Sequence, residues 1–176
     1  ATTTGAAAAA KVDTITVAYA VAEAATTIDV NTGFDDSGAA GGTLLDVTNV
    51  TALTIDFAEL VGDGTAGDID ITDATSLTIN AAKDIVFDEI IAAGEKLAAL
   101  TVTASDKVTI DNVENDALLA TVAITATDNV SLGTIADADA VTSVALTSTA
   151  GSVTLDTFAG TQAADNLTTF TVSAGT

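Results

Sequence analysis

The chain has 176 residues and a net charge of −21, from 25 acidic residues against 4 lysines, with a 48 % hydrophobic share that includes only one Tyr and five Phe. Such a charge argues against nucleic acid, whose affinity comes from cationic side chains that neutralise phosphates, and equally against an anionic membrane surface. Cys, His, Met, Trp and Pro are all absent, so no disulfide staples the fold and no thiol or imidazole holds a transition metal.

The N-terminal stretch begins Ala1-Thr2-Thr3-Thr4 and passes through a low-complexity alanine run at residues 6–10. Without an initiator Met, the chain reads as a processed protein or a fragment. Ile15, Val17, Tyr19 and Val21 alternate cleanly, as do Ile28 and Val30, and period-two alternation predicts half-buried strands. Residues 33–42 are glycine-rich and predict a loop or hinge. Residues 1–49 are therefore expected to be N-terminal strands that cap a domain or form an assembly arm.

From Leu53 onward one apolar phrase recurs: Leu53-Thr54-Ile55, Leu77-Thr78-Ile79, Leu100-Thr101-Val102, Val122-Ala123-Ile124, Val144-Ala145-Leu146 and Phe170-Thr171-Val172. The starts lie 24, 23, 22, 22 and 26 residues apart. A period in the low twenties is the signature of a solenoid, in which one coil stacks on the next. Three residues ahead of the phrase stands another apolar position: Val50, Ala74, Leu97, Leu119, Val141 and Leu167. About eight residues after its start comes a second alternating pair, Ile85/Phe87, Val108/Ile110, Val130/Leu132 and Val153/Leu155. A last apolar position closes the unit at Ile90, Val113, Ile135 and Phe158, while in the first unit the pair Ile69/Ile71 is displaced by the insertion Gly62-Asp63-Gly64-Thr65-Ala66-Gly67. The expected fold is all-β, a β-solenoid resembling a parallel β-helix with coils of about 22–26 residues over residues 50–176. Each coil supplies two short strands that face each other across a thin core of small side chains. Asp, Asn, Gly, Ser and Thr between the strands predict turns, through side-chain bonds to nearby backbone and tolerance of positive φ. Good helix formers at residues 90–100 and 114–120 leave room for a helical turn that closes a coil. The chain stops at Thr176 just inside a repeat, as a fragment or an assembling subunit would.

Calcium is the first candidate ligand. Asp63, Asp68, Asp70 and Asp73 place four carboxylates within eleven residues, and calcium takes six to eight hard oxygen ligands from such carboxylates and from turn carbonyls. Asp35-Asp36 and Asp137-Ala138-Asp139 are weaker candidates. Alternation puts Asp68 and Asp70 on the solvent side of a strand, which is also ordinary patterning, and a solubilising acidic coat accounts for much of the charge. The outward positions Thr54/Asp56, Thr78/Asn80, Thr101/Thr103, Ala123/Thr125, Ala145/Thr147 and Thr171/Ser173 form a second candidate surface, similar to the threonine arrays of ice-binding solenoids. Exposed threonine is also simply a good strand residue. Catalysis has little support, because proton transfer lacks His, and uronate recognition lacks Arg. Paired carboxylates for glycoside hydrolysis are available, yet no nucleophile motif accompanies them.

The Ala/Thr/Val/Asp-rich coils at residues 97–113, 119–135 and 141–158 resemble β-solenoid segments of bacterial surface-layer (S-layer) proteins and large secreted adhesins. The apolar spacing also resembles the leucine-rich repeat, without its consistently placed Asn or Cys. The first resemblance implies a protein that is extracellular, at a cell surface, associating with copies of itself into a lattice or fibre with calcium between acidic faces. A cell-surface glycan is the alternative partner, and neither nucleic acid nor membrane insertion is expected.

Overall fold

The structure is a computed structural model that describes residues 15–30, 43–59, 67–92, 96–114, 117–136, 138–160 and 166–175. Twelve strands run in chain order: β1 (Ile15–Val30), β2 (Thr43–Phe57), β3 (Gly67–Ile71), β4 (Ser76–Ala81), β5 (Ile85–Ile91), β6 (Ala99–Ala104), β7 (Val108–Glu114), β8 (Thr121–Ala126), β9 (Val130–Ile135), β10 (Ser143–Ser148), β11 (Val153–Phe158) and β12 (Thr169–Ser173). A 3-10 turn, Ala138–Ala140, lies between β9 and β10. Among the described residues, no helix is long and apolar enough to cross a membrane.

Every strand pairing is parallel, and the register reproduces the sequence repeat. Leu53 lies beside Leu77, Leu77 beside Leu100, Leu100 beside Val122, Val122 beside Val144, and Val144 beside Phe170. The chain is a β-solenoid with two walls. The threonine wall is the second half of β2 followed by β4, β6, β8, β10 and β12, and the acidic wall is the first half of β2 followed by β3, β5, β7, β9 and β11. Asn49 turns β2 from one wall into the other with φ of 63°, a conformation that Asn tolerates better than most residues. Its side-chain Nδ2 donates to the Tyr19 carbonyl at 2.7 Å.

Residues 15–30 belong to the same stack. Ile15 to Ala18 lie beside Leu45 to Thr48, and Thr26 to Val30 beside Leu53 to Phe57, with a register shift between Ala18 and Glu23. Where alternation suggested two strands, one bent strand lines both walls, because the register shift lets it turn the corner without leaving the ladder.

The core consists of the apolar columns. Ile55, Ile79, Val102, Ile124 and Leu146 stack on the threonine wall, and Ile85, Val108 and Val130 on the acidic wall, each at most 1 % exposed. Val50, Ala74, Leu97, Leu119 and Val141 plug the corner between walls and are also buried, at most 4 % exposed. Of the residues where a helical turn was expected, 93–95 and 115–116 lie outside the described residues, and the described ones on either side form strands and turns. Leu97 and Leu119, both fully buried, are held by the stacking period, and packing overrides local propensity.

One alignment from the sequence changes. Ile69 lies beside Ile90 rather than Ile85, and Gly67 lies beside Phe87. Volume explains the shift. Phe87 is fully buried, its ring centroid 6.3 Å from that of Phe57, and the neighbouring coil makes room by having no side chain at Gly67. Large and small residues compensate in this way to fill a narrow interior at native density.

The turns are tied chiefly from coil to coil. Asp84 Oδ1 accepts from the Lys107 backbone N–H at 2.9 Å, and Asn129 Oδ1 accepts from the Ser152 N–H and hydroxyl at 2.9 and 3.0 Å. Ser148 is 1 % exposed; its hydroxyl donates to the Asp128 carbonyl and accepts from the Gly151 N–H at 2.8 Å. A buried hydroxyl is thereby satisfied on both sides. Short side chains suit this role, which is the structural reason for Asp over Glu.

Candidate functional site

The outer surface of the acidic wall gathers carboxylates from successive coils. Asp46 on β2 lies beside Asp70 on β3, and further along the column Ile91 on β5 lies beside Glu114 on β7. Glu89 lies beside Asn112 in the adjoining column. Asn112 Nδ2 donates to Glu89 Oε1 at 3.3 Å and also to Glu114 Oε1, drawing the two carboxyls together.

Their proximity raises the cost of charge. Glu89 is pushed up to about 7, first by burial, then by a hydrogen bond with Glu114 and by repulsion from Glu114, Asp68 and Asp88. Two adjacent carboxyls that share a proton behave this way. Asp70 is also raised, by burial and then by repulsion from Asp46, and its Oδ1 is buried without a hydrogen-bond partner.

The four candidate calcium ligands are divided by this arrangement. Asp68 and Asp70 sit together on β3. Asp73 sits past the end of β3, where its Oδ1 accepts from Lys96 Nζ at 2.6 Å and its Oδ2 from the Asn49 N–H at 3.3 Å. The Lys96 hydrogen bond holds the Asp73 carboxyl below its usual value. Asp63, Asp35, Asp36 and Asp137 lie outside the described residues. Among the described residues, no three acidic side chains converge in a metal-holding group.

Sequence reading missed the Glu89–Asn112–Glu114 cluster, because residues 23 apart meet only through the register. The available signal was the pair of polar residues between Phe87 and Ile90, repeated as Asp111-Asn112 between Ile110 and Val113.

The other wall presents a different chemistry. Its outward columns are Thr54, Thr78, Thr101, Ala123, Ala145, Thr171 and Asp56, Asn80, Thr103, Thr125, Thr147, Ser173, all in register. Asn80 Nδ2 donates to Asp56 Oδ1 at 2.8 Å, so the charged member of the array is bound to its neighbour. This wall is a flat, nearly neutral lattice of hydroxyl and methyl groups at the ~4.8 Å spacing of paired strands.

Known proteins offer no counterpart: no family model, curated protein or solved structure matches the chain.

The two ends of the stack also differ. In the first coil, Thr26, Ile28 and Val30 are 7 %, 1 % and 2 % exposed; in the last, Phe170 and Val172 are 52 % and 47 % exposed. Among the described residues, β11 and β12 stand at the outer positions of the strand order.

Proposed function

We propose that this chain is an extracellular structural protein that self-assembles into a surface layer or filament. The observation that carries the reading is the continuous stack itself: the described strands from β2 to β12 join one parallel ladder around an aliphatic core, with carboxylates on the outside of one wall and hydroxyls on the other. A rod of backbone ladders and aliphatic columns suits a mechanical role, and the resemblance to surface-layer and adhesin coils points the same way. Calcium enters as a bridge between acidic walls of neighbouring copies, where repulsion within Asp46/Asp70 and Glu89/Glu114 gives a cation something to relieve.

Sedimentation velocity and negative-stain microscopy over a protein concentration series, with calcium and with chelator, test the proposal. Sheets, fibres or discrete oligomers that grow with concentration support it. A single monomeric species in both conditions refutes assembly, and identical assembly in both removes calcium alone.

A second reading is a binding module, an adhesin segment for a cell-surface glycan or an ice-binding array. The in-register hydroxyl columns favour it. A thermal-hysteresis measurement and a glycan-binding screen that are both silent would remove it.

A further inference from the structure

We propose that the threonine wall is the face through which two copies meet, wall against wall, about a two-fold axis that runs along the strands and reverses the order of the coils. The inference rests on the self-assembly reading and names one of its contacts.

Charge selects the face. Of the 25 acidic residues in the chain, none stands on β4, β6, β8 or β10, and no lysine stands there either. On the opposite wall, β5 and β7 carry Asp88, Glu89, Asp111 and Glu114. A two-fold contact sets one face against an identical face. Ionised carboxylates only accept hydrogen bonds and repel one another, whereas a hydroxyl both donates and accepts. Two threonine walls can therefore satisfy each other without an added ion, and two acidic walls cannot.

Shape selects the axis. The central outward column reads Thr78, Thr101, Ala123, Ala145 from coil to coil, two larger side chains followed by two small ones. Thr101 is exposed, and the other three are half-buried by their ladder neighbours. An axis along the strands, midway between β6 and β8, sets β4 against β10 of the second copy and β6 against its β8. Thr78 then faces the second copy's Ala145, and Thr101 faces its Ala123, so each threonine enters the hollow left by an alanine. The adjoining column repeats the match, because Ala99 and Thr121, neighbours in the ladder, face each other across the same axis. An axis along the stack would instead oppose threonine to threonine and alanine to alanine, crowding one half of the contact and leaving voids in the other.

Area sets the strength. Four strands about 20 Å long at ~4.8 Å spacing cover about 400 Å² per copy. The flanking strands β2 and β12, in register with them, bring the pair to roughly 1,200 Å², the lower limit of a specific interface. A weak dimer that forms with rising concentration is expected.

Sedimentation of the full chain from about 10 µM to about 1 mM is expected to show a monomer–dimer equilibrium that calcium and chelator leave unchanged. Thr101→Glu should abolish it. Ala123→Thr improves strand propensity, yet by setting threonine against threonine it should weaken the dimer about 10-fold without lowering the thermal midpoint. Combining Thr101→Ala with Ala123→Thr exchanges the two sizes and should recover most of that loss. Because the chain has no Cys, oxidation of Thr78→Cys mixed with Ala145→Cys should give covalent dimers, and oxidation of Thr78→Cys alone should give none. A monomer at every concentration overturns both this inference and the assembly reading. Association that survives Thr101→Glu, a dimer lost in chelator, an exchange that recovers nothing, or cross-links from Thr78→Cys alone overturns the wall contact and leaves assembly standing. Thermal hysteresis that Thr101→Glu removes, in a chain whose association ignores that variant, also overturns it and gives the face to the ice-binding reading.

Discussion

The two walls of the solenoid are made from the same windings yet obey different rules. On the threonine wall from β4 to β12 the register runs unbroken, and the outward residues are chiefly Thr, Ser, Ala and Asn. On the acidic wall the register shifts at β3 on both sides; the outward residues include Asp70, Asp88, Glu89, Asp111 and Glu114, whereas Asp68, expected on the solvent side, is buried. An unbroken ladder tolerates side chains with no charge to place. The carboxyls of that wall meet on in-register pairs: Asp46 lies opposite Asp70, and Glu89 and Glu114 are drawn together by Asn112 on β5 and β7. Regularity and chemistry are thus separated onto opposite faces of one rod.

The largest test of that contrast lies at the slip itself. Phe87→Ala is expected to destabilise the fold by about 3–5 kcal/mol, because the ring occupies space left by Gly67 and packs on Phe57. Leu100→Ala on the regular wall is expected to cost about 2–5 kcal/mol. Urea denaturation of both variants measures the two walls side by side, and a cost for Phe87→Ala well under that for Leu100→Ala would show that the irregular wall is loosely packed.

Next comes Gly133, which stands opposite Asp111 where the acidic wall has its two-residue step. A Cβ there would lie 2.2 Å from the Asp111 carbonyl oxygen, so the backbone of one coil must move. Gly133→Ala is expected to cost on the order of 1–3 kcal/mol, read as a fall in the thermal midpoint. Ala123→Gly, on the threonine wall, should cost less than that.

The acidic wall also gives the protein its pH dependence. Glu89 titrates near 7 in the folded chain against an ordinary value of 4.5, so between those values the folded state holds a proton that the unfolded state has lost. Stability therefore declines as pH rises from about 4.5 to about 7 and levels off beyond. Asp70, also raised, acts in the same direction from a lower starting point, while the lowered Asp73 works oppositely, losing its contribution only in strong acid. After discounting for solvent screening, Glu89 accounts for on the order of 1 kcal/mol. Glu89→Gln is expected to flatten the fall in thermal midpoint between about pH 5 and about pH 8, and an unchanged slope would assign that fall to general charge repulsion.

The smallest effect belongs to Lys96, whose bond to Asp73 bridges coils at a half-exposed corner. Lys96→Ala should lower the thermal midpoint only slightly, and the difference should fade as salt is added.

The legible part of the structure follows the same division. Leu53, Leu77, Leu100, Val122 and Val144 form a continuous row, as their spacing predicted. The corner residues Leu97, Leu119 and Val141 are buried as expected. By contrast, Ile69 was matched to the wrong neighbour. A glycine-rich insertion removes the spacing cue, and the pairing of Gly67 with Phe87 emerges only from the stacked coils. The candidate calcium set was drawn from proximity along the chain, but Asp73 lies past the end of β3 and is engaged by Lys96 and Asn49.

Periodicity alone determined the all-β class, the coil length and the identity of most core residues, because a stacked winding must repeat its apolar positions to bury them. Tertiary structure decided which carboxyls meet and how Asp and Asn tie one coil to the next. Those outcomes depend on register and side-chain volume between residues some 22 to 26 positions apart, and both are settled only when the coils close on one another.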